Sequence, residues 1–175
     1  MLIKIRKTLN KDLDKVLAIF RSARKYMRDN NNFSQWSETY PDKTDILNDI
    51  CQGVSFVGEN ENEEIVMTFA FILGDDPTYK TIEDGDWLNN EPYGTIHRIA
   101  SNGKTRGIMR QTCEYCFDFT NNIRIDTHRD NRPMLKALKD LDFKRCGIII
   151  CRDGTPRIAF QKTQPTIKNF SNLTS

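Results

Sequence analysis

A five-residue basic turn that begins and ends with glycine, at positions 103–107, separates two stretches of different hydrophobic pattern. The stretch before it, residues 93–101, is rich in β-branched and apolar side chains and follows a proline, which predicts a strand. In the stretch after it, apolar side chains recur at the spacing of one helix face; they are Met109, Cys113, Cys116 and Phe117. The sequence therefore predicts a strand, a tight turn and a helix in succession, around which the rest of the chain has to pack.

This turn has the composition of an anion-binding site. Glycines permit backbone conformations that other residues rarely adopt, and the backbone N–H groups at the start of a helix are unpaired and partly positive. Lys104, Arg106 and Arg110 add full positive charges around them. An ordinary surface loop before a helix has a similar composition, so the surrounding segments have to decide between the two interpretations.

Composition favours one globular domain. The 175 residues suffice for a single core that buries about 70% of the surface of the unfolded chain. We expect residues 1–162 to form this domain and the polar residues 163–175 to form a tail without regular structure. No apolar run is long enough to span a membrane, and the N-terminus lacks the apolar centre of a signal peptide, so we expect a cytoplasmic protein.

The charge balance gives no sign of a highly charged partner. The chain carries 26 basic and 24 acidic residues, for a net charge of +2. Such a balance produces no general attraction to nucleic acid or to a membrane surface, so any electrostatic recognition has to be local. We therefore expect neither nucleic acid nor membrane as a partner, and the sequence leaves a monomer and a homodimer equally open.

The five cysteines lie in apolar segments, which favours reduced thiols in the core over disulfides. Cys113 and Cys116 repeat the spacing of many zinc and redox sites. Zinc would need two further ligands, for example Cys146 and Cys151, whereas the plain packing of one helix face gives the same spacing. We expect structural thiols and no metal.

The other segments predict alternating strands and helices. Residues 2–6 predict the first strand, Asn10 is expected to cap the helix that follows, and a short helix ends at Gly53. Further strands are predicted at 54–57, 65–73, 123–127, 148–151 and 157–162, and a last helix has Pro133 in its first turn. Because the connection from residues 93–101 to 123–127 is long and helical, those two strands must be parallel.

The basic turn and its flanking elements resemble the acetyl-CoA loop of the GNAT acetyltransferase superfamily, whose pattern is Gln/Arg-x-x-Gly-x-Gly/Ala. Lys104 stands at the Gln/Arg position, Gly107 matches the central glycine, and Met109 replaces the final small residue. The longer strings HRIAS, RIDTHRDNRPM and CGIII resemble a bacterial subgroup of this superfamily with unassigned substrate. The resemblance covers residues 2–162, which is the whole predicted domain.

A second signature of the superfamily, Asn-x-x-Ala followed by Gly-Phe, is similar to Asn131-x-x-Met134 followed by Asp142-Phe143. Many members carry a tyrosine seven residues after the asparagine, and its hydroxyl protonates the departing thiolate. Leu138 stands at that position here. The resemblance therefore implies an enzyme that lacks the usual general acid.

The resemblance implies an α/β (α+β) GNAT fold, with a mixed central sheet of about six to seven strands, a splayed parallel pair and about four flanking helices. It implies acetyl-CoA as co-substrate and an acetyl transfer to a primary amine of an unidentified small molecule or peptide. The pantetheine arm would pair with backbone groups of Ile99 and Ser101, and fixed N–H groups near Ile99 or Ala100 would stabilise the oxyanion. The residues expected to contact the cofactor are Ile99, Ala100, Ser101, Lys104, Thr105, Arg106, Gly107, Ile108, Met109 and Asn131.

Candidates for the catalytic base lie on and before the central strand. Imidazole changes charge near neutral pH, which favours His97, with Glu91 and Tyr93 as weaker candidates. His97 is equally consistent with a hydrogen-bonded strand residue that has no catalytic duty. His128 lies in a polar loop near the expected cofactor, where loop hydrogen bonding is the simpler interpretation.

Two loops are candidates for the acceptor pocket. Residues 29–41 carry Trp36 and Tyr40, which either line a pocket or anchor the loop on the core. The acidic segment 74–92, with Asp75 and Trp87, suits a cationic amine or is a solvated excursion with two anchors, Tyr79 and Trp87. The alternatives to an enzyme are a catalytically silent acyl-CoA sensor and a general phospholigand-binding protein.

Overall fold

The structure is a computed structural model that describes residues 3–165. Its strands are β1 (Lys4–Lys7), β2 (Ser55–Glu59), β3 (Ile65–Leu73), β4 (Gly94–Ser101), β5 (Asn122–Thr127), β6 (Lys144–Ile150) and β7 (Pro156–Thr163). Its helices are α1 (Leu13–Asp29), α2 (Lys43–Cys51), α3 (Ile108–Phe117) and α4 (Arg132–Asp140). No helix within the described residues combines the length and the apolar character that crossing a membrane requires.

The strands form one seven-stranded sheet in the order β1-β2-β3-β4-β5-β7-β6. Neighbouring strands are antiparallel except for β4 and β5, which are parallel, as their helical connection requires. The predicted mixed sheet and its parallel pair are therefore confirmed. Leu2, which was included in the first predicted strand, and residues 166–175 of the predicted tail lie outside the described residues.

The parallel pair separates soon after it forms. Only two residue pairs, Gly94 with Ile123 and Thr95 with Arg124, are in register, although both strands continue beyond them. The sheet is thus closed at the start of β4 and open along the rest of the strand. This opening is the expected splay.

Each face of the sheet has its own core. One face, which we call the α3 face, packs against α3 and α4 around Ile96, Ile125 and Leu138. The opposite face, the α1 face, packs against α1 and α2 around Val16, Phe20 and Val57. Side chains of β4 therefore pack toward α3 and α4 on one face of the sheet and toward α1 and α2 on the other.

A β-bulge at Arg98 changes the alternation of side chains along β4. The pairing of β3 with β4 shifts register here, and Arg98 adopts a positive φ of 52°. As a result Ile96 and Ile99 both pack on the α3 face, although residues three apart in a regular strand point to opposite faces. His97 and Arg98 are left on the α1 face, where Arg98 forms a bidentate ion pair with Asp49 of α2 at 2.9 and 2.7 Å.

The start of α1 differs from the prediction. Asn10 does not cap it; instead residues Asn10–Asp12 form a 3₁₀ turn that leads into the helix. The Asp12 carboxylate accepts the Leu9 N–H at 2.8 Å and pairs with Arg6 at 2.7 Å. The cap prediction was wrong because a buried acid that binds an arginine on β1 stabilises the turn better than an exposed asparagine does.

The acidic segment 74–92 crosses the α1 face and packs on it. Tyr79 is buried, and Trp87 stacks on its ring with 5.3 Å between the ring centroids. At the far edge of the sheet, Glu83 and Ile148 of β6 exchange two backbone hydrogen bonds of 2.8 Å. Tyr79 and Trp87 therefore anchor the segment on the sheet, as the second of the two interpretations expected.

A buried arginine fastens the end of this segment. The Arg124 guanidinium on β5 lies between the rings of Trp87 and Tyr93, at 4.1 and 3.9 Å from their centroids. It also donates to the Asn89 carbonyl at 2.8 Å. Burial lowers the pKa of Arg124, and the two aromatic faces offset the cost of burying its charge.

The cysteines of α3 are part of the core. Cys113 and Cys116 are buried on the α3 face, and burial raises the pKa of Cys113 to about 12. All five cysteines are free, and no group of three or more potential metal ligands occurs within the described residues. A thiol with such a pKa is protonated at neutral pH, so packing accounts for this pair.

The loop before α2 carries three aromatic residues, of which only Trp36 is buried. Trp36 packs edge-on against Phe20 of α1, with 5.6 Å between the ring centroids, and contacts Tyr40 at 6.2 Å. Phe33 in the same loop is 63% exposed, whereas Trp36 is 9% exposed. Trp36 therefore anchors the loop on α1.

We predict that Trp36→Ala destabilises the protein by about 3 kcal/mol, because it removes a large buried ring from the core of the α1 face. Phe33→Ala is the matched control in the same loop and should leave the free energy of unfolding nearly unchanged. Urea unfolding followed by circular dichroism measures both. If Trp36→Ala kept its stability and lost only activity, Trp36 would belong to a pocket and not to the core.

Candidate active site

A cleft of about 730 Å³ opens where β4 ends, between α1, α3 and α4. All residues predicted to contact the cofactor line it except Lys104 and Arg106. Those two side chains are exposed beside it, and Arg110 lies in its wall. The structure thus brings the predicted cofactor residues together at one site.

The floor of the cleft is the open edge of β4. The Asn102 N–H donates to the Val66 carbonyl of β3 at 2.9 Å. Because backbone groups alternate sides along a strand, Ile99 and Ser101 then direct their N–H and C=O groups away from β3, into the splay. These are the two residues whose backbone the sequence prediction assigned to the pantetheine arm.

The basic turn presents backbone amides to the outer end of the cleft. Gly103 and Gly107 both have a φ of 75°, a conformation that favours glycine, and Gly107 directly precedes α3. The first bond of the helix runs from the Gln111 N–H to the Gly107 carbonyl at 3.1 Å. The amides of residues 108–110 precede this bond, so they have no partner within the helix and carry its positive dipole end.

Asn131 lies in the opposite wall as the N-cap of α4. Its carboxamide oxygen accepts the Met134 N–H at 3.2 Å, and its nitrogen donates to the Gln35 side chain at 2.9 Å. Arg157 of β7 donates to the Gln35 carbonyl at 2.9 Å. Asn131 therefore ties the loop before α2 to the cleft, and its contact with a cofactor stays a prediction.

His97 lies on the α1 face, two residues before Ile99, which is about 7 Å along the strand. Its Nε2 atom is 2.8 Å from Oδ2 of Asp76, and the two side chains are 20% and 11% exposed. Burial disfavours the Asp76 carboxylate, yet hydrogen bonds from His97 and Thr78 outweigh this and hold its pKa below the usual range. The predicted acid in this loop, Asp75, is exposed, and its neighbour Asp76 makes the contact.

A second acid lies across the splay from His97. Asp126 of β5 and His97 of β4 each lie two residues beyond the last registered pair, Thr95 with Arg124. The Tyr79 hydroxyl donates to Asp126 at 2.7 Å, and the Tyr79 ring centroid is 6.0 Å from that of His97. Burial and the nearby Asp126 charge raise the pKa of Tyr79, so its hydroxyl stays protonated.

The other predicted catalytic residues do not join this group. Glu91 is exposed and precedes β4, so a strand of eight residues, about 26 Å, separates it from the basic turn. Tyr93 is buried, and its hydroxyl accepts the Asp76 N–H at 2.9 Å. Tyr93 therefore supports the Asp76 loop from beneath.

The remaining predicted residues have mainly structural contacts. The Tyr40 hydroxyl accepts from Arg98 at 3.2 Å, and Trp87 stacks on Tyr79. His128 is buried, and its Nδ1 atom accepts the Asp130 N–H at 3.2 Å. Burial and the nearby Arg157 lower the pKa of His128, which keeps it neutral.

Sequence reasoning missed Asp76, Tyr79 and Asp126. The strand pattern Ile123-Arg124-Ile125-Asp126 carried a usable signal, because alternation places Arg124 and Asp126 on the same face. Asp76 and Tyr79 lie in a segment without periodicity. Their positions follow only from the path of that segment over the sheet.

Comparison with known proteins supports one class. No protein-family model matches the chain, and no curated protein matches it. Among solved structures, a GNAT-family acetyltransferase from Streptococcus agalactiae is 28% identical, with 93% of this chain and 96% of that chain covered and a TM-score of 0.84. The fold is therefore the GNAT fold, and this neighbour supports an acyltransferase of the GNAT type.

Two more distant structures of the same fold were determined with ligands. A phosphinothricin acetyltransferase from Sinorhizobium meliloti, in complex with AcCoA, is 12% identical with a TM-score of 0.62, covering 99% of this chain and 98% of that one. An aminoglycoside acetyltransferase in complex with coenzyme A and kanamycin is 15% identical with a TM-score of 0.64, covering 93% and 95%. At these identities the two structures support the fold alone, and the acceptor of this chain is unidentified.

We predict that Gly107→Asp weakens coenzyme A binding at least tenfold, or about 1.4 kcal/mol, because it places a carboxylate at the amides that face the cleft. The matched control is Gly154→Asp in the turn between β6 and β7, which has a similar φ of 77° and open space around it. Both variants carry the same backbone strain, but only the first lies at the cleft. Isothermal titration calorimetry that finds equal affinities for the two variants would exclude the basic turn as the phosphate site.

Proposed function

We propose that this chain transfers the acetyl group of acetyl-CoA to a primary amine of a small molecule or a peptide. The observation that carries the proposal is the order of three features along the chain: His97, the open edge of β4 at Ile99 and Ser101, and the amide-rich basic turn. The last two line one cleft, and His97 lies next to it on the same strand. A cofactor laid along that path brings its thioester to the bulge. No other surface of the described residues combines these features.

In this arrangement the turn amides and the nearby positive side chains bind the pyrophosphate. The pantetheine arm completes the hydrogen bonding of Ile99 and Ser101, whose backbone groups face the splay. The exposed Lys104 and Arg106 act through charge at the rim. Replacement of the usual small residue by Met109, which lines the cleft, narrows the space at the start of α3.

The reaction is the attack of a neutral amine on the thioester carbonyl. The C–N bond forms, an oxyanion develops, and the C–S bond then breaks with release of the thiolate of coenzyme A. Ile99 is the better of the two oxyanion candidates, because the Ala100 amide points toward β3. Loss of one such donor costs about 3 kcal/mol in other acyl-transfer enzymes.

His97 is the proposed base that takes the ammonium proton, directly or through water. It lies on the α1 face beside the bulge, next to the place where the thioester would lie. Glu91 is too far along the chain from the basic turn, and the Tyr93 hydroxyl already binds the Asp76 amide. His97 is thus the one predicted base that geometry favours.

The acceptor would approach from the α1 face. The acids on that side of the splay, Asp76 and Asp126, favour a positively charged acceptor, in line with the acidic segment that supplies one of them. Tyr40, Asp75 and Trp87 would contribute to the outer wall. Trp36 would act indirectly, since its ring is buried against α1.

We predict that His97→Gln lowers kcat/KM roughly 10²- to 10⁴-fold while coenzyme A affinity stays unchanged, because it removes a general base and leaves the cleft intact. His128→Gln is the same change at the other histidine and should retain activity. Release of free coenzyme A in the presence of a panel of small amines measures turnover. The assignment is wrong if only His128→Gln loses activity.

Leu138 occupies the position at which many GNAT enzymes carry a tyrosine as general acid. Its side chain is fully buried in the core of the α3 face, away from the proposed reaction. Releasing a thiolate instead of a thiol at pH 7 costs only about 2 kcal/mol, given a thiol pKa near 8.5. The partly positive start of α3 offsets some of this cost. The enzyme can therefore work without a tyrosine acid at this position.

The pH dependence follows. We predict that kcat rises with pH as the amine loses its proton, and that it does not fall on the alkaline side. The measurement is a wild-type turnover profile from pH 6 to about pH 10. A falling alkaline limb within this range would contradict the prediction and indicate a general acid at another position.

The second candidate function is a catalytically silent acyl-CoA sensor, which the leucine at position 138 favours. Both candidates bind coenzyme A, so affinity does not separate them. Tight binding of coenzyme A without release of free thiol in the presence of any amine would favour the sensor. Equal affinity for ATP would instead favour a general phospholigand-binding protein.

A further inference from the structure

Asp76 has no assigned role in the proton transfer, although within the described residues it is the only carboxylate that contacts the proposed base. We propose that Asp76 is a positioning residue that fixes His97 in the tautomer protonated on Nε2, so that Nδ1 accepts the proton of the acetyl acceptor. This inference rests on the proposed function for its catalytic consequence. Its structural part, the position of one proton, is independent of it.

The tautomer follows from the chemistry of the contact. Oδ2 of Asp76 is 2.8 Å from Nε2 of His97. An ionised carboxylate only accepts hydrogen bonds, so the hydrogen between the two atoms belongs to Nε2. A neutral imidazole carries one hydrogen, which leaves the lone pair on Nδ1.

Asp76 is held so that only one oxygen is free for this task. Its Oδ1 atom accepts the Thr78 N–H at 2.8 Å and the Thr78 hydroxyl at 2.6 Å. Its own N–H donates to the Tyr93 hydroxyl at 2.9 Å. Asp76 is therefore held both at its backbone and at Oδ1, which leaves Oδ2 directed toward His97.

The charged groups around His97 support the same state. Asp76 and Tyr79 lie beside it in the segment over the sheet, and Asp126 of β5 accepts the Tyr79 hydroxyl. Asp49 of α2 lies near enough to interact with its charge and is already paired with Arg98. The low pKa of Asp76 keeps its carboxylate ionised through the neutral range. Asp76 thus also stabilises the imidazolium that forms when His97 takes a proton.

Asp76→Asn tests the inference with little change in shape. The carboxamide oxygen can keep both Thr78 bonds, while the NH₂ group replaces Oδ2 opposite His97. An NH₂ group only donates, so Nε2 has to accept and the imidazole hydrogen moves to Nδ1. We expect kcat/KM to fall roughly 10²- to 10⁴-fold, with unchanged coenzyme A affinity.

The matched control is Asp14→Asn, which removes the same charge from the exposed first turn of α1 and should keep full activity. A pH profile of kcat/KM is recorded for each variant. Asp76→Asn should change the shape of this profile, whereas a variant that is merely less stable keeps the wild-type shape. Wild-type-like activity in Asp76→Asn would overturn the inference.

A nuclear magnetic resonance measurement tests the tautomer without any acceptor. The chain has only two histidines, so long-range ¹H–¹⁵N spectra of the wild type and of His128→Gln assign both rings. We expect a protonated Nε2 and an unprotonated Nδ1 in His97, and the reverse in Asp76→Asn. A wild-type ring protonated on Nδ1 would overturn the inference even if Asp76→Asn failed to fold.

The two proposals fail in different ways. If the wild type turned over no amine while His97 had the expected tautomer, the proposed function would fail and the structural role of Asp76 would stand. If the wild type were active and His97 had the other tautomer, the assignment of Asp76 would fail alone.

Discussion

Backbone hydrogen bonding between β4 and β5 stops after two residue pairs, and the rest of the site depends on that gap. The bulge at Arg98 turns β4 away from its parallel neighbour, and the bidentate ion pair of Arg98 with Asp49 holds the bulge from the side of α2. Beyond it, the strand is paired with β3 on one side only. Since unpaired backbone groups are costly when buried, this edge needs either water or a ligand that can act as a strand. A cofactor with two amides in an extended arm meets that need.

The two halves of the site come from different kinds of structure. The cofactor half consists of the end of a strand, a glycine turn and the start of a helix, which are local in sequence and rigid. In the half that carries His97, this strand residue contacts Asp76, which lies in a loop about 20 residues earlier in the chain. The buried Tyr79 and Tyr93 stack on each other and hold that loop against the sheet. Substitutions can therefore alter cofactor binding and proton transfer independently of each other. A substitution at Asp76 would affect the proposed base, whereas one at Gly107 would affect the proposed phosphate site.

This division also explains how much could be predicted from the sequence. The strand, the turn and α3 were predictable because hydrophobic periodicity and glycine spacing are local properties, and the mixed sheet followed from connection lengths. Asp76 was missed in favour of Asp75 because no pattern in segment 74–92 tells which acid points inward. The cap at Asn10 failed because the competing interaction, between Asp12 and Arg6, joins two separate elements. Trp36 was left between pocket and core, since only the position of Phe20 decides the question.

The pairing of Glu83 with Ile148 has a consequence for self-association. β6 is an edge strand, and exposed edges are templates for intermolecular strand pairing and aggregation. Here the protein covers the middle of that edge with its own chain, through a bridge of two hydrogen bonds. A second molecule that added a strand to β6 would have to displace Glu83, and with it the segment that carries Asp76 and Tyr79. The same segment of chain thus protects the edge of the sheet from intermolecular pairing and holds the proposed acceptor side together.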